Sequence, residues 1–391
     1  MNDPVGSARP VGADAIRFVD DFRDRELSLA LVDRIRPAAQ RIAAERGLER
    51  VAVMEVCGGH THTLFRFGIH QALRDVIEFV HGPGCPVCVL PRDVIAQCVS
   101  WAQREDMIVA TFGDAIRVPG HGLTLQQARA AGANVQVVYS PLEALETARE
   151  NPDKNVVFLA LGFDTTMPST ALTLLTAKEQ GVTNFSLYAV HIGIIPTLQA
   201  VLAEGAQYLQ GLIGPGHVSM VIGSQPYEFV ARDYGLPFVI SGFEPLDLLQ
   251  SLNMILAQLE RGEAKVENQY ARTVTSSGNA AALAAINRVF RPEPRSFWQG
   301  LGGQTDIGYV LSDEFAEHDA EKRFGIDIAT DPLSVAEQPP ECDQVIMGRL
   351  SPPDCPHFNK GCTQDHPLGA LMVSNEGACA AWYHAGAMAT T

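Results

Sequence analysis

The sequence predicts an α/β protein in three parts: two parallel-sheet α/β domains, over residues 15–150 and 151–260, and an irregular cysteine-bearing domain over residues 261–391. Three observations predict it. From about Val51 to Gly242, short apolar runs rich in β-branched residues alternate with amphipathic stretches, the pattern of buried strands joined by crossover helices. Gly, Cys, His and Asp gather just after the apolar runs, where open α/β sheets place their ligands. Beyond Arg261 the alternation fades into Pro- and Gly-rich chain, which suits a region organised around a cofactor more than around a regular core.

The strands are expected, in order, at VAVMEV (51–56), VIEFV (76–80), MIVATF (107–112), VQVV (135–138), VVFLALG (156–162), FSLYAV (185–190) and PFVIS (237–241). Helices are expected at 93–104, 142–150, 169–180, 196–204 and 246–260. The first domain boundary is set at the NPDKN turn beginning at Asn151, the second near Arg261 after the last of these helices. The segments following the strands read CGGHTH, HGPGCPVC, GDAIRVPGHG, LGFDTT and HIGIIP. None of them matches a P-loop or a dinucleotide fingerprint.

Composition narrows the function. With 46% hydrophobic and 19% charged residues the chain is globular. A net charge of −16 repels phosphate backbones and argues against nucleic acid as a partner. No apolar run reaches the roughly 18 residues of a membrane span. The first twenty residues carry Asp3, Asp14 and Asp20 and no apolar core of a secretory signal, so the expected compartment is the cytoplasm.

Structural disulfides are not expected in that reducing compartment. The eight cysteines instead fall into two groups: Cys57, Cys85, Cys88 and Cys98, then Cys342, Cys355, Cys362 and Cys379. The second group is spaced by 12, 6 and 16 residues among prolines and glycines. Four thiolates in loop-rich chain suit either a zinc ion or an iron–sulfur cluster. The wide spacing, without the close pairs usual at structural zinc, favours a 4Fe-4S cluster, and buried cysteines without a metal remain the plain reading. Cys85 and Cys88 form a CxxC ahead of a helix expected from about Pro91. A reversible dithiol–disulfide pair, exposed on the Gly82–Pro83–Gly84 loop and activated by that helix, is the natural reading, against half of a zinc site or two packed cysteines. Cys57 opens CGGHTH. Beside His60 and His62 it can bind a transition metal or be deprotonated by His60; the plain reading is a buried cysteine in a glycine turn, with His62 on the solvent face of a helix. Cys98, inside an amphipathic stretch, reads as core. His121, His191, His217, Asp164 and Glu244 sit after strands or glycines and are candidates for the cleft.

Taken in order, MEVCGGHTHTLFRFGI (54–69), GPGCPVC (82–88), GFDTT (162–166), GPGHVS (214–219) and SNEGACAAW (374–382) resemble the HypD family, maturation factors for nickel–iron hydrogenases, from about residue 15 to the C-terminus. The resemblance implies three domains, one with a 4Fe-4S cluster, and a part in assembling the Fe(II) centre with its cyanide and carbon monoxide ligands, alongside a HypC-type chaperone and a HypE-type cyanide donor. It makes Cys57 the iron-binding thiolate with His60 beside it, Cys85 and Cys88 the redox pair, and Cys342, Cys355, Cys362 and Cys379 the cluster ligands, with Glu376 in support. The CxxC and the cluster then resemble the relay of ferredoxin–thioredoxin reductase. Three features depart from the family pattern: Asp164 stands where the family carries glutamate, Cys98 matches no family cysteine, and the chain before Ala15 lies outside the match. A thiol–disulfide oxidoreductase acting on a partner's cysteine is the alternative reading.

Overall fold

The structure is a computed structural model that describes residues 21–293, 308–326 and 339–389. Eleven strands among these residues form two sheets. They are β1 (Val51–Glu55), β2 (Ile77–His81), β3 (Met107–Thr111), β4 (Val135–Val137), β5 (Asn155–Gly162), β6 (Phe185–Ile192), β7 (Gly211–Pro215), β8 (Phe238–Ser241), β9 (Val266–Asn268), β10 (Phe290–Glu293) and β11 (Gly308–Leu311). The first sheet has the order β2-β1-β7-β8-β9 and is parallel throughout. The second has the order β10-β11-β6-β5-β3-β4; its four central and edge strands β6, β5, β3 and β4 are parallel, while β11 and β10 are added antiparallel.

The α/β expectation holds, with two differences. The second sheet is mixed, not purely parallel, because after β9 the chain returns to it and adds the antiparallel pair β10–β11 beside β6, drawn from the region expected to be irregular. The division at Asn151 also does not coincide with the sheets. β3 and β4 pair with β5 across it, whereas β1 and β2 join β7, more than 120 residues later in sequence. Each sheet is therefore assembled from separated stretches of chain.

The expected helices form at Arg92–Ala102, Pro141–Glu150, Met167–Glu179, Ile194–Gly205 and Pro245–Arg261. The long N-terminal helix Arg25–Arg46 lays Ile35, Ala39 and Ile42 on one face of the first sheet, beside Leu248, Leu252 and Ile255 of Pro245–Arg261. A second apolar cluster covers one face of β5 and β6 with Leu174 and Ala177. The largest cluster joins the remaining faces of both sheets, through Met54, Leu212, Val109 and Leu159, to Ile346, Leu371 and Cys379 of the C-terminal segment. That segment, carrying the helices Pro340–Ile346 and Ala378–Ala389, is thus packed into the core and not appended to it. None of the described helices is long and apolar enough to cross a membrane.

Candidate functional site

In the first sheet, the chain leaves β1 toward β2 on one side and later adds β7, β8 and β9 on the other, so β1 and β7 flank a topological switch point. Crevices at the carboxyl ends of such strands are where open α/β sheets bind ligands. Cys57 lies two residues beyond β1, at the N-cap of helix Gly58–Arg66, with extended backbone (φ −152°, ψ 121°) and no side-chain capping bond. The Gly59 and His60 N–H groups at the start of the helix favour its thiolate. The Cys57 carbonyl accepts from His60 N at 2.8 Å, and its N–H donates to Glu55 Oε2 at 2.9 Å. Burial pushes the Cys57 thiol up to about 12, and the nearby carboxylates Glu376 and Glu55 add to the rise.

Glu55 is almost fully buried and organises this corner. Parallel register places it directly beside His81 at the ends of β1 and β2. Glu55 Oε1 accepts from His81 Nδ1 at 2.7 Å and from the Thr61 hydroxyl. Three donors from three segments thus satisfy one buried carboxylate.

His60 is buried with its ring 4.8 Å from Phe243, and His217 stacks on Phe243 at 3.9 Å. The phenyl ring, held on the turn after β8, is shared by two imidazoles. His60 Nε2 lies 3.3 Å from the Ser241 carbonyl oxygen, which assigns the proton to Nε2. Burial lowers the pKa of both His60 and His217 and keeps them neutral. His62 is exposed, which matches the plain reading of that residue.

Cys85 and Cys88 are joined by a disulfide on a short 3-10 turn, Pro86–Val89. Two expectations are corrected here. Extended Leu90 and Pro91 separate this turn from helix Arg92–Ala102, so the α-helix N-terminus is not at either sulfur. The pair is also not exposed: Cys85 and Cys88 are 3% and 2% accessible, because the C-terminal segment covers them, with Ala370 O 3.9 Å from Cys88 Sγ. A narrow chamber remains, lined by Cys85, Cys88, Thr61, His81, Leu371 and Glu376. Gly84 ties the CxxC to Cys57, since its Cβ position lies against the Cys57 and Val56 backbone.

Cys342 lies in helix Pro340–Ile346, Cys355 follows the 3-10 turn Pro352–Asp354, Cys362 ends the tight loop after His357, and Cys379 begins the last helix. Burial pushes the Cys342 thiol up to about 12, with Cys362 and Cys355 adding to it. Cys379 is raised by burial and then by Cys342, Cys362 and Cys355. Cys355 and Cys362 thus lie close enough to Cys342 and Cys379 to oppose the ionisation of those two thiols, and the Leu368 N–H points at Cys362 Sγ from 3.4 Å. Among the described residues, no group of three or more His, Cys, Asp or Glu side chains is arranged to hold a single metal ion.

Cys98 is core, fully buried, its thiol raised by desolvation alone. Asp164 lies on the second sheet, where it accepts from Ile194 N at 2.9 Å, and burial raises its pKa to about 6. His191 is fully buried and held neutral, with a pKa near 3. Asp164 is raised in the fold, so it costs stability above pH 6, and the cost is relieved as pH falls from 6 toward the unfolded value. Asp164→Asn is therefore expected to stabilise the protein at pH 7.5 by about 2–3 kcal/mol, with the gain vanishing near pH 4. Urea midpoints of the two proteins at both pH values check this. His121 pairs with Asp93 at the surface, and Glu244 caps helix Pro245–Arg261.

Glu55, His81 and Phe243 were not read as site residues from the sequence. Glu55 and His81 occupy strand positions, and only the β1–β2 register brings them together.

Fold and site define a doubly wound α/β protein with a cysteine-centred site at its topological switch point and a second cysteine group in the segment covering it. Over residues 31–386 the chain matches the profile of HypD, described as the "Hydrogenase formation hypA family". It is 50% identical over 376 residues to the hydrogenase maturation factor HypD of Rhodobacter capsulatus, covering 96% of this chain and 100% of the relative. It is 47% identical to that of Escherichia coli K12, covering 94% and 98%, and 41% identical to that of Cupriavidus necator H16, covering 95% and 97%. The chain belongs to the HypD family of hydrogenase maturation factors.

Proposed function

We propose that the chain is a cytoplasmic assembly scaffold that holds an iron(II) fragment on Cys57 while cyanide and carbon monoxide are added, and that the Cys85–Cys88 pair supplies thiol redox chemistry to the same site. A HypC-type chaperone would share the iron and a HypE-type protein would deliver the cyanide. The observation that carries this reading is the convergence of Cys57, the CxxC and the four-cysteine segment at one switch point. Cyanide and carbonyl are strong-field ligands suited to low-spin Fe(II), and a soft thiolate is a fitting anchor for it. The Cys57 sulfur makes no side-chain capping bond, the Gly59 and His60 N–H groups favour its thiolate, and it gives up its proton on taking the metal.

Cys342, Cys355, Cys362 and Cys379 would hold a 4Fe-4S cluster. The fit rests on four neighbouring thiols, two buried and two half-buried, on the raised Cys342 and Cys379, whose ionisation a cationic iron centre would compensate, and on the backbone N–H aimed at Cys362. Such a cluster supplies one-electron transfer when bound. An oxidoreductase acting on a partner's cysteine would use the same dithiol, but the burial of both sulfurs favours an internal role.

Infrared spectroscopy of the complex with the HypC-type chaperone, isolated anaerobically, tests the reading, together with iron and acid-labile sulfide content. Cyanide and carbonyl stretching bands with about four extra irons and sulfides are expected. Zinc without sulfide, and no such bands, would sink it.

A further inference from the structure

We propose that His81, oriented by Glu55, is the group that delivers and removes the protons of the Cys85–Cys88 dithiol–disulfide interconversion. This rests on the redox reading of that pair and adds to it a proton path.

Burial sets the problem. Both sulfurs are shielded from bulk water. Reducing the disulfide without protons would leave thiolates in an apolar setting, which is strongly unfavourable. Besides the two cysteines, the ionisable side chains lining the chamber are His81 and Glu376. Glu376 bears on Cys57, whose ionisation it opposes, while its backbone and Cβ lie against Gly58. His81 is placed differently. It is 6% exposed, and its Nδ1 is engaged by Glu55 at 2.7 Å. Its buried Nε2 has no hydrogen-bond partner among the described residues. A carboxylate on Nδ1 fixes the tautomer and orientation of an imidazole and stabilises its cation, so that Nε2 can exchange a proton. Glu55 is itself held by Thr61 and by the Cys57 N–H, so the imidazole has a rigid mount. An edge contact with Trp382, ring centroids 6.5 Å apart, and a tilted contact with Phe65 at 5.9 Å fix it from the other side. The charged or titratable groups facing His81 are Glu55, Glu376, His70 and the two cysteines.

With a small dithiol as reductant the step balances. One reductant thiolate attacks one sulfur of the pair, the Cys85–Cys88 bond breaks, and the departing sulfur takes the proton from His81 Nε2. The second reductant thiolate attacks the mixed disulfide, releasing the other cysteine, which is protonated in turn. The reductant leaves as a disulfide, and its two protons finish on Cys85 and Cys88. Reoxidation runs the same path backward, with Nε2 accepting.

His81→Asn keeps an N–H for Glu55 and removes Nε2. The measurement is reduction of the full-length protein by dithiothreitol between pH 6 and 9, quenched by alkylation and read by mass at the Cys85–Cys88 peptide. Rates are divided by the thiolate fraction of the reductant. His81→Asn is expected to be about 100-fold slower than the wild type and unchanged in the midpoint potential of the pair. A variant that reduces at the wild-type rate with the wild-type pH dependence overturns the inference, as does one whose potential shift accounts for its whole rate change. If His81→Asn does not fold, as judged by circular dichroism, Glu55→Gln decides: a rate about 10-fold below wild type at pH 6 supports the proton path, and a wild-type rate overturns it. Should the wild type itself never gain two alkylatable thiols there, the redox reading of the pair fails and this inference with it. Wild-type cycling with indifferent variants removes only the inference.

Discussion

Cys57→Ala is expected to abolish the cyanide and carbonyl bands of the complex and to lower hydrogenase maturation at least about 100-fold, while leaving the fold intact. The separation of effects follows from the local structure. Cys57 occupies a helix N-cap but contributes no side-chain hydrogen bond there; the helix start is held by the Cys57 carbonyl, which accepts from His60 N and Thr61 N, and by Glu55. Removing the sulfur therefore costs only a small apolar volume, within about 1 kcal/mol. Cys57→Ser sharpens the result. Serine keeps the size and the backbone but offers a hard oxygen, so the bands should be lost equally if a soft thiolate is what anchors the iron. Cys98→Ala is the control: it opens a cavity in the core and shifts the denaturation midpoint, yet should keep the bands, because its sulfur is sealed among apolar residues such as Ile95 and Trp101. Bands that survive in Cys57→Ala would remove Cys57 as the iron anchor.

The sulfur positions were legible because glycines and cysteines at strand ends leave a local pattern. β1, β2 and β5 were equally legible, being short runs of Val, Ile, Leu and Phe. β7 was not: its sequence GLIGP carries two glycines and a proline, which dilute the apolar signal, although it is the strand that completes the switch point beside Cys57. The division into sheets escaped for a related reason. Parallel pairing joins residues such as Val53 and Gly211, and no local periodicity records which distant strand a strand will choose. Glu55 and His81 escaped because each reads as one polar residue at the end of a strand; their meaning lies in register. The burial of the CxxC escaped because its cover, Ala370 and Leu371, is nearly 300 residues away and joins through the apolar cluster.

Gly84→Ala is the second large effect expected, and it tests whether the two sulfur centres must touch. A methyl on Gly84 would overlap the Cys57 N and Cα and the Val56 carbonyl carbon. These are backbone atoms just beyond β1, whose last residue Glu55 pairs with both β2 and β7, so no rotamer change relieves the contact. The Gly82–Gly84 loop is equally constrained, since Gly82 N donates to Glu55 O and Gly58 N donates to Gly84 O. Overpacking of this kind costs about 1–3 kcal/mol where neighbours can adjust, and this site sits at the upper end because they cannot. Two outcomes satisfy the expectation: a denaturation midpoint lowered by that amount, or a protein of near-normal stability whose loop has swung away. In the second case the CxxC separates from Cys57, and the infrared bands should weaken although every cysteine is present. Gly205→Ala is the matching control, because its added methyl meets nothing within 4 Å and should leave stability within about 0.5 kcal/mol. If Gly84→Ala kept both its stability and its bands, contact between the CxxC loop and Cys57 would be dispensable, and the two centres would have to act without adjacency.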